Sequence, residues 1–251
     1  VAGQRSTIFL LLGMAAWIAA GFAGAFVAAG VVGVATGVLR GVLPPDMIPA
    51  PSPLAYVLIG ATGFQGTLLL AALRQGRRAG NGNWRAGAGF LPIQRKPLIA
   101  LLCALMFGWL LVLLTLMAAI PALREFAKSV TPQVLSGTGN DTAVVVIPRI
   151  LLIAILAPVS EELFFRGWLW EASRRRGHAP AVTACVTAVP WLLLHGIDAP
   201  GRVLVLIPAA LIFSFARHAA GSVRGSLAVH MTNNTAAVLM QTLAALFGHE
   251  A

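Results

Sequence analysis

Along this chain apolar and polar positions segregate into long blocks rather than alternating within a turn or a strand. Seven apolar runs, Thr7 to Leu39, 54–73, 97–123, 143–170, 180–197, 202–216 and 225–247, are separated by short stretches that hold most of the charge. A helix crossing bilayer hydrocarbon needs roughly 20 apolar residues. In lipid it must also satisfy its own backbone hydrogen bonds, which makes each run a helix candidate. The first run, 33 residues long, makes either one long tilted helix or a Gly-rich helical pair turning within Gly21 to Gly33. It is too long for the apolar part of a signal peptide and leads to no convincing cleavage site. The expected fold is all-α: a polytopic transmembrane helix bundle of seven spans, or eight if the first run is a hairpin.

Composition agrees. Of 251 residues, 58% are apolar and 10% charged, outside the range of soluble domains. The net charge of +10 raises the question of nucleic acid. The basic residues lie between apolar runs rather than along one polar face, which is membrane topology and excludes nucleic acid as the expected partner. With seven spans, twelve Lys and Arg fall on the side of the N-terminus and of 74–96, 174–176, Arg217 and Arg224. Four, Arg40, Arg124, Lys128 and Arg202, fall on the other. That bias places the basic connections in the cytoplasm. The Arg- and Gly-rich segment 74–96 is expected to be a mobile loop with an interfacial stretch around Trp84 and Phe90. Cys103 and Cys185 lie in apolar runs without paired spacing, as small buried side chains do.

Against this background a few residues stand out. Ionisable side chains inside a span cost about 2.5–3.5 kcal/mol each on insertion scales, so they face a cavity or a partner. Glu161, Glu162, Arg166, His195 and His230 all fall in apolar runs, joined by Asn233 and Asn234. Glu162 and Arg166 are four apart and share a helix face. Glu161 lies about 100° around the helix and has no local partner. His230 and Asn234 again share a face, and His195 follows Trp191 by four. Arg149 is expected to snorkel outward, and Asp198 to pair with Arg202. Glu161 and His195 are equally distant from position 178, so an antiparallel hairpin sets them level. That level lies roughly 15 Å below Glu171 at 1.5 Å per residue. A single carboxylate in such a layer is a candidate general base, while its neighbour holds the arginine.

The blocks "EELFFR" with Gly167, "WLLLH" and "HMTNN" resemble the three motifs of the CPBP family, the CAAX-processing and bacteriocin-processing (Abi) intramembrane proteases. Glu-Glu-x-x-x-Arg is matched by Glu161, Glu162 and Arg166, and His-x-x-x-Asn by His230 and Asn234. Phe-x-x-x-His is matched at His195, with Trp191 in place of Phe. The resemblance covers about 143–247. It divides the chain into an N-terminal transmembrane region with a basic cytoplasmic loop, 1–142, and a catalytic transmembrane core, 143–251.

The resemblance implies an intramembrane endopeptidase acting on a membrane-associated protein or peptide. Glu161 would activate water, His195 position it, and His230 and Asn234 donate to the oxyanion. Glu162 and Arg166 would organise the site from behind, with Trp191 and Phe165 shaping the pocket. It further implies a cavity open to the cytoplasmic side of a membrane, read here as the bacterial inner membrane. Substrates in the family are prenylated C-terminal tails, bacteriocin leaders or sorting signals, and nothing in the sequence chooses among them; the oligomeric state is equally open. No cofactor is expected. Two His and a Glu leave zinc as an alternative, but the spacing is not His-Glu-x-x-His on one helix and Asn234 suits an oxyanion hole. The alternative function is a non-catalytic membrane scaffold or immunity-type binding protein of the same fold.

Overall fold

The computed structural model describes residues 2–44, 47, 51–130, 143–197 and 199–247. All the regular structure in them is helical: α1 (Ala2–Val42), α2 (Pro53–Ala79), α3 (Trp84–Gly87), α4 (Lys96–Ala119) and α5 (Pro121–Val130) form the first part. A central run follows, made of α6 (Ala143–Leu151), the π-helix π1 (Leu152–Leu156), α7 (Ala157–Glu161), the π-helix π2 (Glu162–Leu169) and α8 (Trp170–Arg175). The chain then forms α9 (Pro180–Gly196), α10 (Gly201–Ala220) and α11 (Val223–Phe247). Among the described residues four helical stretches are long and apolar enough to cross a membrane: Thr7–Val42, Pro53–Ala79, Lys96–Leu113 and Gly201–Ala220. Helices occur where the apolar runs place them, and four of the expected seven or eight spans meet the requirement of length and composition among those residues. Large apolar side chains such as Phe9, Phe26, Leu70, Leu101, Leu193 and Leu204 point outward, as in an integral membrane protein.

The first apolar run lies within a single 41-residue helix, so the hairpin alternative is set aside. Its glycines serve close approach rather than a turn. A Cβ on Gly63 of α2 would lie 2.6 Å from the Gly24 carbonyl oxygen and 2.8 Å from Ala28 Cβ. One on Gly21 would meet the Phe64 ring at 2.8 Å. Small residues let two backbones pack in lipid, where the hydrophobic effect cannot drive them together.

The segment 74–96 is no loose loop. Residues up to Ala79 continue α2, and Asn83 caps α3 by accepting from the Arg85 and Ala86 amides. The rest is tied to the α10–α11 turn: the Gln94 amide donates to the Ala220 carbonyl, the Val223 amide to Gly89, and the Ser222 hydroxyl to Leu91. Arg224 lies over the Phe90 ring at 4.3 Å, and Phe90 contacts Trp84 at 5.4 Å. Polarity marked this segment as a connection; its backbone groups found partners on two helices far along the chain.

The core forms where the central run, α9, α10 and α11 meet, around Phe164, Phe165, Leu169, Trp191 and Phe213. Arg149 is buried rather than snorkelling. Cys185 is exposed and Cys103 half-buried, against the expectation of two buried thiols. Arg202 is buried and donates to the His195 carbonyl at 3.0 Å, closing the end of α9; Asp198, its expected partner, lies outside the described residues. A second polar knot ties α1 to the core, where His178 bonds Thr7 at 3.2 Å and Ser173 at 2.9 Å.

Candidate active site

Glu161, the last residue of α7, is buried, and both carboxylate oxygens are engaged. Oε1 accepts from Gln65 Nε2 of α2 at 2.7 Å, and Oε2 from the Trp191 indole Nε1 of α9 at 2.6 Å. His195, one turn beyond Trp191, brings Nε2 to 3.9 Å from the same Oε2. Its Nδ1 lies 2.8 Å from the Trp191 carbonyl oxygen. A carbonyl only accepts, so Nδ1 carries the proton, and in the neutral ring Nε2 is bare and faces Glu161.

Glu162 points the other way, as the 100° helical offset requires. It is fully buried, 3.3 Å from Arg166 Nη1, and its Oε1 accepts from His230 Nδ1 at 2.9 Å. Arg166 sits over the rings of Trp191 at 5.1 Å and Phe213 at 5.7 Å, which supply cation–π attraction to the buried guanidinium. Phe213 also stacks on His230 at 4.4 Å. The two carboxylates therefore serve two networks joined through the Trp191 ring.

The wide turns of the central run matter here. A π turn displaces carbonyls from the regular ladder, and in an apolar setting each needs another donor. The Ile153 carbonyl of π1 accepts from Asn234 Nδ2 at 2.9 Å, and the Arg166 carbonyl of π2 from Arg217 Nε at 2.8 Å. Asn233 donates to Asn234 Oδ1 at 3.0 Å, which sets the amide's orientation and leaves one N–H of Asn234 beyond the bond to Ile153.

Glu161 and His195 are level, as the antiparallel hairpin requires. His230 joins them through Glu162 and the aromatic rings rather than by touching Glu161. Phe165 does not line an opening: it is fully buried with its ring edge-on to Phe164 at 5.0 Å. Trp191 is more than a pocket wall, since its N–H holds the carboxylate. Nothing in the motif spacing pointed to Gln65, although it is the one long polar side chain in the middle of an apolar run, 54–73. Among the described residues no three His, Cys, Asp or Glu side chains converge as a metal set.

The exposed edge of the site is His195, its side chain 29% exposed, one residue from the end of α9. That end is remote from the basic turn at 174–176. Arg166, Phe165 and Phe213, beside the site, are all fully buried.

Residues 143–236 match the family model described as Rce1-like, type II CAAX prenyl endopeptidase. No curated protein and no solved structure matches the chain. The matched segment carries Glu161, Glu162, Arg166, Trp191, His195, His230 and Asn234; Gln65 lies outside it. Residues 143–236 are thus a domain of the Rce1-like type II CAAX prenyl endopeptidase (CPBP/Abi) family, a family of proteases.

Proposed function

We propose that this protein hydrolyses a peptide bond of a membrane-associated protein or peptide with water activated by Glu161, without a metal. The observation that carries the reading is the pairing of a buried, oriented carboxylate with the bare Nε2 of His195 at 3.9 Å. Two acceptors so spaced can share one water, its oxygen about 2.8 Å from each. Glu161 takes a proton from that water as its oxygen attacks the carbonyl carbon; His195 holds the other O–H and fixes the direction of attack. The proton then passes from Glu161 to the departing amine.

Charge developing on the carbonyl oxygen needs donors already in place, each worth roughly 2.7–4 kcal/mol in comparable sites. Asn234 supplies its remaining N–H. His230 can donate from Nε2 only with both nitrogens protonated, and Glu162, bonded to Nδ1, balances that positive charge. Arg166, 3.3 Å from Glu162, in turn holds that carboxylate in place.

The test compares the termini of cellular membrane proteins by mass spectrometry in cells carrying the parent protein or Glu161→Gln. The expected result is a terminus present only with the parent, together with equal amounts of folded protein. Identical termini and unchanged biological activity in the variant would leave a binding scaffold as the function.

A further inference from the structure

We propose that Gln65 and Trp191 form a two-point clamp that fixes the catalytic orientation of Glu161, making Gln65, in a helix outside the matched segment, a positioning residue of the reaction. The inference rests on Glu161 being the base. Each carboxylate oxygen receives one side-chain N–H, from Gln65 at 2.7 Å and from Trp191 at 2.6 Å. The two donors come from α2 and α9, which hold the carboxylate from both ends.

The clamp is built from behind as well. The Ser160 hydroxyl donates to Gln65 Oε1, so the amide presents Nε2, and not its oxygen, to Glu161. Ser160 is fully buried, and its oxygen is also within reach of the Leu156 and Ala157 carbonyls of the preceding turn. Trp191 is fixed between the Arg166 guanidinium at 5.1 Å and the His195 ring at 4.2 Å. A phenylalanine, the residue of the motif at this position, fills a similar space but has no N–H to offer. In this chain the aromatic position of the second block therefore has a polar task, shared with a glutamine 96 residues away from Glu161.

Two consequences follow. Residues 1–142 do not merely surround the protease core, because α2 contributes directly to the base. The donors also act on the carboxylate and not on substrate, so their loss should lower turnover and leave substrate binding intact.

The experiment uses the full chain in detergent, with Gln65→Met, which keeps length and removes the donor, and Trp191→Phe, which keeps the ring. One readout needs no substrate: the carboxylate infrared band of Glu161, isolated by subtracting the Glu161→Gln spectrum, should shift in both variants. The second uses a fluorogenic peptide ending in a farnesylated Cys-aliphatic-aliphatic-X tail, the class named by the matched family. Each variant should lose kcat about tenfold or more, since a hydrogen bond to a charged group is removed, with KM within about twofold. An unshifted band, or kcat per folded molecule equal to the parent's, overturns the clamp. A shifted band with no Glu161-dependent cleavage, of this probe or of any cellular protein, refutes instead the assignment of Glu161 as the base, and the clamp's catalytic meaning with it.

Discussion

Replacing Glu162 by Gln isolates the electrostatics of the buried network, because Gln keeps the shape and an acceptor for His230 while removing the charge. Glu162 and Arg166 are both fully inaccessible and 3.3 Å apart. At an effective dielectric of about 20, unit charges at that distance attract by roughly 5 kcal/mol. Removing one partner of a buried pair typically costs about 3–5 kcal/mol, because the other charge stays buried without compensation. The faces of Trp191 and Phe213 soften this by about 2 kcal/mol, which leaves a loss of roughly 3 kcal/mol. For a chain of this size that is a fall of roughly 6–12 °C in Tm. The assay is thermal unfolding in detergent, followed by far-ultraviolet circular dichroism, with Glu162→Gln beside the double variant Glu162→Gln/Arg166→Met. The double variant should recover most of the loss. If the single variant melts within about 2 °C of the parent, or the double is no better than the single, the ion pair does not hold the arginine.

Gly63→Ala should separate α1 from α2, since its Cβ would meet the Gly24 carbonyl and Ala28; the expected cost is about 1–3 kcal/mol in thermal unfolding. Gly30→Ala, with nothing within 4 Å of the new Cβ, is the control and should not destabilise. Exhaustive chelation should leave cleavage at the parent's rate; loss restored by zinc alone would establish a metal enzyme instead. In a chain without Cys103 and Cys185, His195→Cys should react with a membrane-impermeant thiol reagent applied to the face opposite the basic connections. Reaction only from the basic face would place the opening on the cytoplasmic side, as the charge count favours.

What the sequence made legible was whatever depends on one helix, or one short hairpin, at a time. Four-residue spacing set Glu162 beside Arg166, and the hairpin count set Glu161 level with His195. Pairings between helices were beyond such counting, because they depend on tilt and rotation. Thus His230 turned to Glu162 rather than Glu161, and Gln65 reached Glu161 from across 96 positions. The span count rested on hydropathy, which reports solvent and not length: α9 is apolar but only 17 residues long. Polarity likewise could not distinguish a free loop from 80–95, whose backbone is bonded to the α10–α11 turn.

The π-helical winding over Glu162–Leu169 has a consequence for what changes this protein can accept. Each wide turn accommodates a residue more than regular winding does, and the turn over this stretch leaves the Arg166 carbonyl for the Arg217 side chain. Deleting one position beyond Arg166 would let the stretch tighten to regular winding, return that carbonyl to the helix ladder and deprive the buried Arg217 of its acceptor, with Glu162 and Arg166 themselves unchanged.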